Sequence, residues 1–191
     1  RSTLFPYTTL FRSRDVIPDN GNLKDGDISV FIRLGSDYSG NYYEYEIPLD
    51  LTPAGHYSGT SESDRRMVWP EKNMLDIDFD VLTRVKNNRN VQKNLGTITA
   101  SAVYSEYDPG NPENKISVVG NPSIGNVRAI MIGIRNKTMS AKDAEVWVNE
   151  LRLVGYESKG GVAALSSLGL RLSDVASVDL SGQLSTARYG G

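Results

Sequence analysis

Apolar and polar positions alternate along most of this chain, in short runs separated by turn residues, and that pattern predicts β-structure. Ile28-Ser-Val-Phe-Ile-Arg-Leu34 and Tyr42-Tyr-Glu-Tyr-Glu-Ile47 flank the breaker Gly35-Ser-Asp-Tyr-Ser-Gly-Asn41. A hairpin follows, with Tyr43, Tyr45 and Ile47 on one face and Glu44 and Glu46 on the other. Pro48 and Pro53 end the second run, and residues 54–66 read as a polar loop. In Leu75-Asp-Ile-Asp-Phe-Asp-Val81 the alternation is strict, which predicts a half-buried strand or a strand passing into a helix. Three aspartates at alternate positions disfavour a helix throughout. Residues 87–94 read as a polar loop and residues 97–104 as another strand, before the turn Asp108-Pro-Gly-Asn-Pro112. Val127-Arg-Ala-Ile-Met-Ile-Gly-Ile134 is apolar on nearly both faces and predicts a central strand, with residues 145–154 as its partner.

After Lys159-Gly-Gly161 the character changes. Residues 162–172 place Val162, Ala164, Ser166, Leu168, Leu170 and Leu172 at even positions and Ala163, Leu165, Ser167, Gly169 and Arg171 at odd ones, and residues 178–188 repeat the even pattern with Val178, Leu180, Gly182 and Leu184. Asp179, Ser181, Gln183 and Ser185 fill the odd positions of the second run. One apolar and one polar face, on runs close to the ~9–11 residues a tilted strand needs to cross a bilayer, suit a membrane β-barrel hairpin. An exposed hairpin of a soluble sheet has the same period and stays open as the alternative. If the hairpin spans, the short link 173–177 falls on the periplasmic side and the preceding sandwich outside.

Repeated short strands without a long capped amphipathic helix predict an all-β fold: a jelly-roll-like antiparallel sandwich over residues 14–158, followed by an outer-membrane barrel hairpin over 159–191. The composition changes this picture little. The chain has 191 residues, is 39% apolar and 23% charged, and carries a formal net charge of -2. Such a balance, without a Lys/Arg-rich run, argues against nucleic acid as a partner. With no cysteine there are no disulfides and no thiolate metal site. No apolar run is long enough for a transmembrane helix, a test blind to transmembrane strands.

Residues 1–13 stand apart. Thr-Leu-Phe-Pro-Tyr-Thr-Thr-Leu-Phe-Arg-Ser, residues 3–13, resembles one reading frame of a common short-read sequencing adapter and is read as an artefact to be set aside before fold reasoning. The chain is accordingly expected to be a fragment of a longer protein, continuing at both ends.

Candidate chemistry is sparse. Asp76, Asp78 and Asp80 would project oxygen ligands from one strand face, a weak calcium candidate beside the plainer reading of a solvated face; the glycine and glutamate of an EF-hand loop are missing. His56 is the only histidine and has no nucleophile elbow beside it, so a loop role is expected. Tyr42, Tyr43, Tyr45, Trp69 and Trp147 could form a sugar-stacking platform or serve packing. In residues 145–154, Trp147, Leu151 and Leu153 would share one face, interrupted by Asn149, with Val146, Val148 and Val154 opposite, which suggests two covered faces or a bulge. Glu150 and Arg152 are alternate neighbours that could pair. No catalytic constellation and no cofactor motif emerge.

Gly120-Asn-Pro-Ser-Ile-Gly-Asn-Val-Arg-Ala-Ile-Met-Ile-Gly-Ile-Arg135, Ala144-Glu-Val-Trp-Val-Asn-Glu-Leu-Arg-Leu153 and Lys159-Gly-Gly161 with the strands that follow resemble the SprA family, called Sov in some members. These are large outer-membrane proteins of Bacteroidetes gliding motility and type IX secretion. The resemblance implies a non-enzymatic translocon component, a giant barrel with soluble insertions at the cell surface. It also implies secreted cargo together with accessory plug and surface-shuttle proteins as partners. The positions that carry it are Trp147, Asn149, Glu150, Leu151, Arg152, Gly160 and Gly161, a junction between the insertion domain and the barrel wall. The competing class is a secreted carbohydrate-binding β-sandwich module, a likeness of architecture alone.

Overall fold

The computed structural model describes residues 7–15, 23–149, 151–153, 164–172 and 176–184. In chain order its elements are β1 (Tyr7–Asp15), β2 (Ile28–Gly35), β3 (Tyr42–Pro48), α1 (Glu62–Val68), β4 (Met74–Ile77), α2 (Phe79–Asn94) and β5 (Tyr104–Tyr107). They continue with β6 (Lys115–Val119), β7 (Ala129–Asn136), β8 (Ala144–Val148), β9 (Arg152–Leu153), β10 (Ala164–Leu172) and β11 (Ala176–Leu184).

The hairpin expected from the two β-rich runs forms as β2 and β3, paired antiparallel from Ser29 opposite Pro48 to Gly35 opposite Tyr42. The Asp37 carboxylate holds the turn, accepting from the backbone N–H groups of Ser39, Gly40 and Asn41 and from Asn41 Nδ2. These bonds, the Asn41 side chain foremost, keep its pKa well below the ordinary carboxylate range.

This hairpin is the centre of a five-stranded antiparallel sheet ordered β5-β6-β3-β2-β7. Its inner face buries Val30, Ile32 and Leu34 of β2, Tyr43, Tyr45 and Ile47 of β3, and Ile116 and Val118 of β6. Against that face lies a second layer in which β4 and β8 flank β1, with β9 continuing beside β1 and α2 alongside. It contributes Phe11, Leu75, Ile77, Phe79, Leu82 and Val85 to one shared core. Each such side chain stabilises the fold by roughly 1.5–3 kcal/mol relative to exposure, and the result is an antiparallel sandwich-like fold with few helices. Asn73 locks the layers at the chain crossing, accepting from Asp50 N at 2.7 Å and donating to Asp50 O at 2.8 Å.

The chain departs from its sequence pattern in five places. First, residues 87–94 are the second half of α2 rather than a loop. Asp78 caps this helix by accepting from Asp80 N, and its buried stripe is Phe79, Leu82, Val85 and Arg89. The fourth member is polar, so an apolar periodicity could not register it. Second, residues 97–103 are not a strand: Gly96 adopts φ +73° and Thr97 turns back to Gln92 O, capping α2 instead. Third, β7 is the sheet's edge rather than its centre, and Ile134 is 56% exposed. Fourth, β8 and β9, which carry the described strand residues of the 145–154 segment, pair with β1, not with β7. Fifth, the expected loop ends in a short helix, α1, which starts at Glu62, runs past the loop's end at Arg66 to Val68 and is capped by Ser61.

The adapter-like residues 7–13 occupy the middle of the smaller sheet, with Phe11 and Ser13 buried. Tyr-Thr-Thr-Leu-Phe, residues 7–11, is rich in aromatic and β-branched residues and so strand-forming whatever its origin. β10 and β11 pair as an antiparallel hairpin of their own, nine residues each, with Leu168 opposite Leu180 and Leu170 opposite Val178. The register therefore matches the two apolar sets across the hairpin. β11 begins at Ala176, two positions before the expected Val178.

Candidate functional site

The outer face of the five-stranded sheet carries the densest chemistry among the described residues, and it is ionic. Antiparallel register sets Arg33 opposite both Glu44 and Met131, and Phe31 opposite both Glu46 and Gly133. Glu44 and Glu46, on the face opposite Tyr43, Tyr45 and Ile47, are 5% and 3% exposed. Three cations cover them. Glu44 accepts from Arg33 Nε at 2.7 Å and from Arg135 Nη2 at 3.1 Å. Glu46 accepts from Ser29 Oγ at 2.6 Å, from Lys137 Nζ at 2.9 Å and from Arg135 Nη1. The Phe31 ring roofs the cluster between two guanidinium groups, Arg33 at 5.2 Å and Arg135 at 4.7 Å. Tyr42 supports Arg33 from the other side at 4.2 Å.

Charged groups this dry require partners, since removing one leaves the other desolvated and alone. Burial, the largest influence on Glu46, works to raise its pKa; the Ser29 hydroxyl, Lys137 and Arg135 together outweigh it and hold the carboxyl below its ordinary value. A general acid working near neutrality needs the opposite shift. The cluster is built to hold charge in place. Sequence reading missed it because cross-strand register, not spacing, joins residues as far apart as Ser29 and Lys137; the one available signal was the Glu-x-Glu alternation opposite Arg33.

The junction segment is organised by a bulge. Phe11 faces Val148 and Thr8 faces Arg152, so three steps along β1 are matched by four steps from 148 to 152. The extra residue switches which parity points inward. Ala144 and Val146 pack on the core before it, and Leu151 does so after it. Trp147 consequently does not share a face with Leu151, as the alternation suggested. It is 50% exposed, stacks with Arg12 at 5.5 Å and donates Nε1–H to Glu145 at 2.6 Å. That bond, followed by Arg14, lowers the Glu145 pKa. Glu150, Gly160 and Gly161 lie outside the described residues; Asn149 and Arg152 both take part in further interactions.

The other singled-out residues separate in space. Asp76 lies in β4, Asp78 caps α2 and Asp80 sits in its first turn. Among the described residues no group of three or more His, Cys, Asp or Glu is placed to hold a metal. His56 is exposed in the loop, beside a cleft it shares with Tyr57, Asp64 and Trp69. The aromatic platform is not assembled: Tyr43 and Tyr45 are core, bonded through their hydroxyls to Pro122 O and Asp108. Burial raises the Tyr43 pKa to about 12. Tyr42 belongs to the outer face and Trp147 to the smaller sheet.

The fold and its outer face define the class: an antiparallel β-sandwich module with a fixed ionic surface, followed by a hairpin of matched alternation. No helix among the described residues is long and apolar enough to cross a membrane, which leaves crossing by strands open. Residues 12–191 match the SprA_N family model, described as motility related/secretion protein. The chain belongs to this motility and secretion family, which associates it with the cell envelope. The match begins at Arg12, leaving residues 1–11 outside it. A comparison with curated proteins finds no match.

Proposed function

We propose that this chain is part of an outer-membrane protein translocon serving type IX secretion and gliding motility, and that it acts without catalysis. The sandwich is an insertion domain on the outer side of the bilayer, and β10 and β11 belong to the barrel wall. Secreted cargo and accessory plug and surface-shuttle proteins are its partners. The observation that carries the reading is the hairpin register, in which nine-residue strands set Ala164, Leu168, Leu170 and Leu172 opposite Leu184, Leu180, Val178 and Ala176 in a chain of a motility and secretion family. Strands of that length and period are what a tilted barrel wall requires. The saturated carboxylates of the ionic face suit a rigid surface beside a pore rather than proton transfer.

The test uses single cysteines, unambiguous because the chain has none of its own. Ser167→Cys and Leu168→Cys, with Ser181→Cys and Leu180→Cys, are introduced in producing cells and challenged with a water-soluble maleimide. The expected outcome is reaction at 167 and 181 and protection at 168 and 180 until detergent is added. Equal reaction at all four positions overturns the barrel assignment.

A further inference from the structure

We propose that the cleft between the C-terminal half of α2 and the β2–β3 turn binds a small molecule through an oxyanion, a phosphate or carboxylate group, with Arg89 and Lys93 supplying the positive charge. The cleft is open to solvent and has a volume of about 490 Å³, within the range of ordinary small-molecule sites. α2 lines it with Arg89, Asn90, Lys93 and Asn94, and Asn41 and Asn121 face them. No carboxylate is among the lining residues. The wall opposite α2 is fixed: Asn121 N donates to Asn41 Oδ1 at 2.9 Å, and Asn41 Nδ2 donates to Asp37. The Asp37 carboxylate is saturated by the turn it closes and does not neutralise the cleft.

Arg89 is the anomaly that points to a ligand. It is 2% exposed, yet no ion pair reaches it among the described residues. Nη1 donates to Asn90 Oδ1 at 3.1 Å, Nη2 donates to the Ala100 carbonyl, and Nε has no partner. A guanidinium cannot shed its charge, and burying one without a counter-charge is costly. Holding Ala100 requires a donor but no charge, and favourable interaction with the C-terminal end of α2 requires only an exposed cation. Neither task accounts for a buried arginine. Lys86, one turn earlier, has its pKa lowered by burial and then by Arg89, and its Nζ donates to the Pro122 carbonyl rather than to a carboxylate. Lys93 forms no ion pair among the described residues and sits where an entering oxyanion would meet it. Amide groups of the four asparagines supply neutral donors and acceptors for the rest of the molecule.

The full chain in detergent micelles, at constant ionic strength, is titrated with inorganic phosphate and separately with succinate, followed by calorimetry and amide chemical shifts. Saturable binding of at least one is expected, with shifts at Asn41, Asn90 and Asn121; phosphate alone or succinate alone identifies which oxyanion the cleft takes. Lys93→Glu is expected to weaken binding by about tenfold or more, as for loss of a charge-assisted contact. Arg84→Glu makes the same charge change on another face of α2 and is expected to alter affinity less than about twofold. Arg89→Gln tests the buried charge directly, and Lys93→Glu keeps the test valid if that variant fails to fold. Absence of saturable binding by either anion, or equal weakening by the reversals at Lys93 and Arg84, overturns the proposal.

Discussion

Replacing Gly133 by alanine isolates one device of the outer face. Gly133 lies on the edge strand β7 directly opposite Phe31, and a Cβ there would fall 2.3 Å from Phe31 Cζ and 2.7 Å from Cε1. Carbon atoms in contact sit about 3.5–4.0 Å apart, so the ring has to move by more than about 1 Å. It is not free to do so, because Arg33 and Arg135 hold it from two sides; each such contact contributes roughly 0.5–1 kcal/mol at an exposed site. Overpacking costs typically about 1–3 kcal/mol, and alanine in a strand regains about 0.5–1 kcal/mol over glycine. Gly133→Ala is therefore expected to destabilise the chain by about 1–2 kcal/mol, a fall in Tm of about 2–8 °C for a chain of this size. Urea unfolding followed by far-UV circular dichroism measures it. The diagnostic is the sign in a Phe31→Ala background, where the ring is gone and Gly133→Ala is expected to stabilise by about 0.5–1 kcal/mol. Equal effects of Gly133→Ala in both backgrounds refute the packing of Phe31 on Gly133.

The ionic face also sets an acid limit. The Glu46 pKa is held below its ordinary value of 4.5, so its stabilisation is complete above that pH and is lost as pH falls through the lower folded-state value. Glu46→Gln is expected to lose stability at neutral pH and to show a flatter decline in acid, measured by unfolding at a series of pH values; an unchanged acid limb contradicts the assignment. Gly120 has φ +66°, and a Cβ would fall 1.9 Å from Gly40 O, so Gly120→Ala is expected to cost about 2 kcal/mol or more in thermal unfolding. Asp78→Ala removes the cap of α2 and is expected to cost about 1 kcal/mol, with fraying of residues 79–82 visible in amide exchange.

Local chemistry made part of this molecule legible before folding. The β2–β3 hairpin was readable because alternation and a Gly/Asp/Ser/Asn breaker act within a dozen residues. The buried row Leu75, Ile77 and Phe79 was readable for the same reason, even though the chain passes from strand to helix at Asp78. The 164–184 hairpin was readable because both strands repeat one period.

Partner choice was not legible. Val127 to Ile134 looks like a central strand from its apolar content, but position in a sheet depends on which strands compete for its edges. The inward parity of Val146 and Leu151 depends on a bulge set by β1, a segment more than a hundred residues earlier. The second half of α2 hid its buried face behind Arg89, whose role depends on a cleft made by three separated loops and a helix. Sequence by itself determined periods, turns and family, because these arise from neighbours along the chain. Tertiary structure alone decided that Glu44 and Glu46 are buried rather than solvated, since their cations come from β2, β7 and the residue beyond it, and meet only when the sheet is assembled.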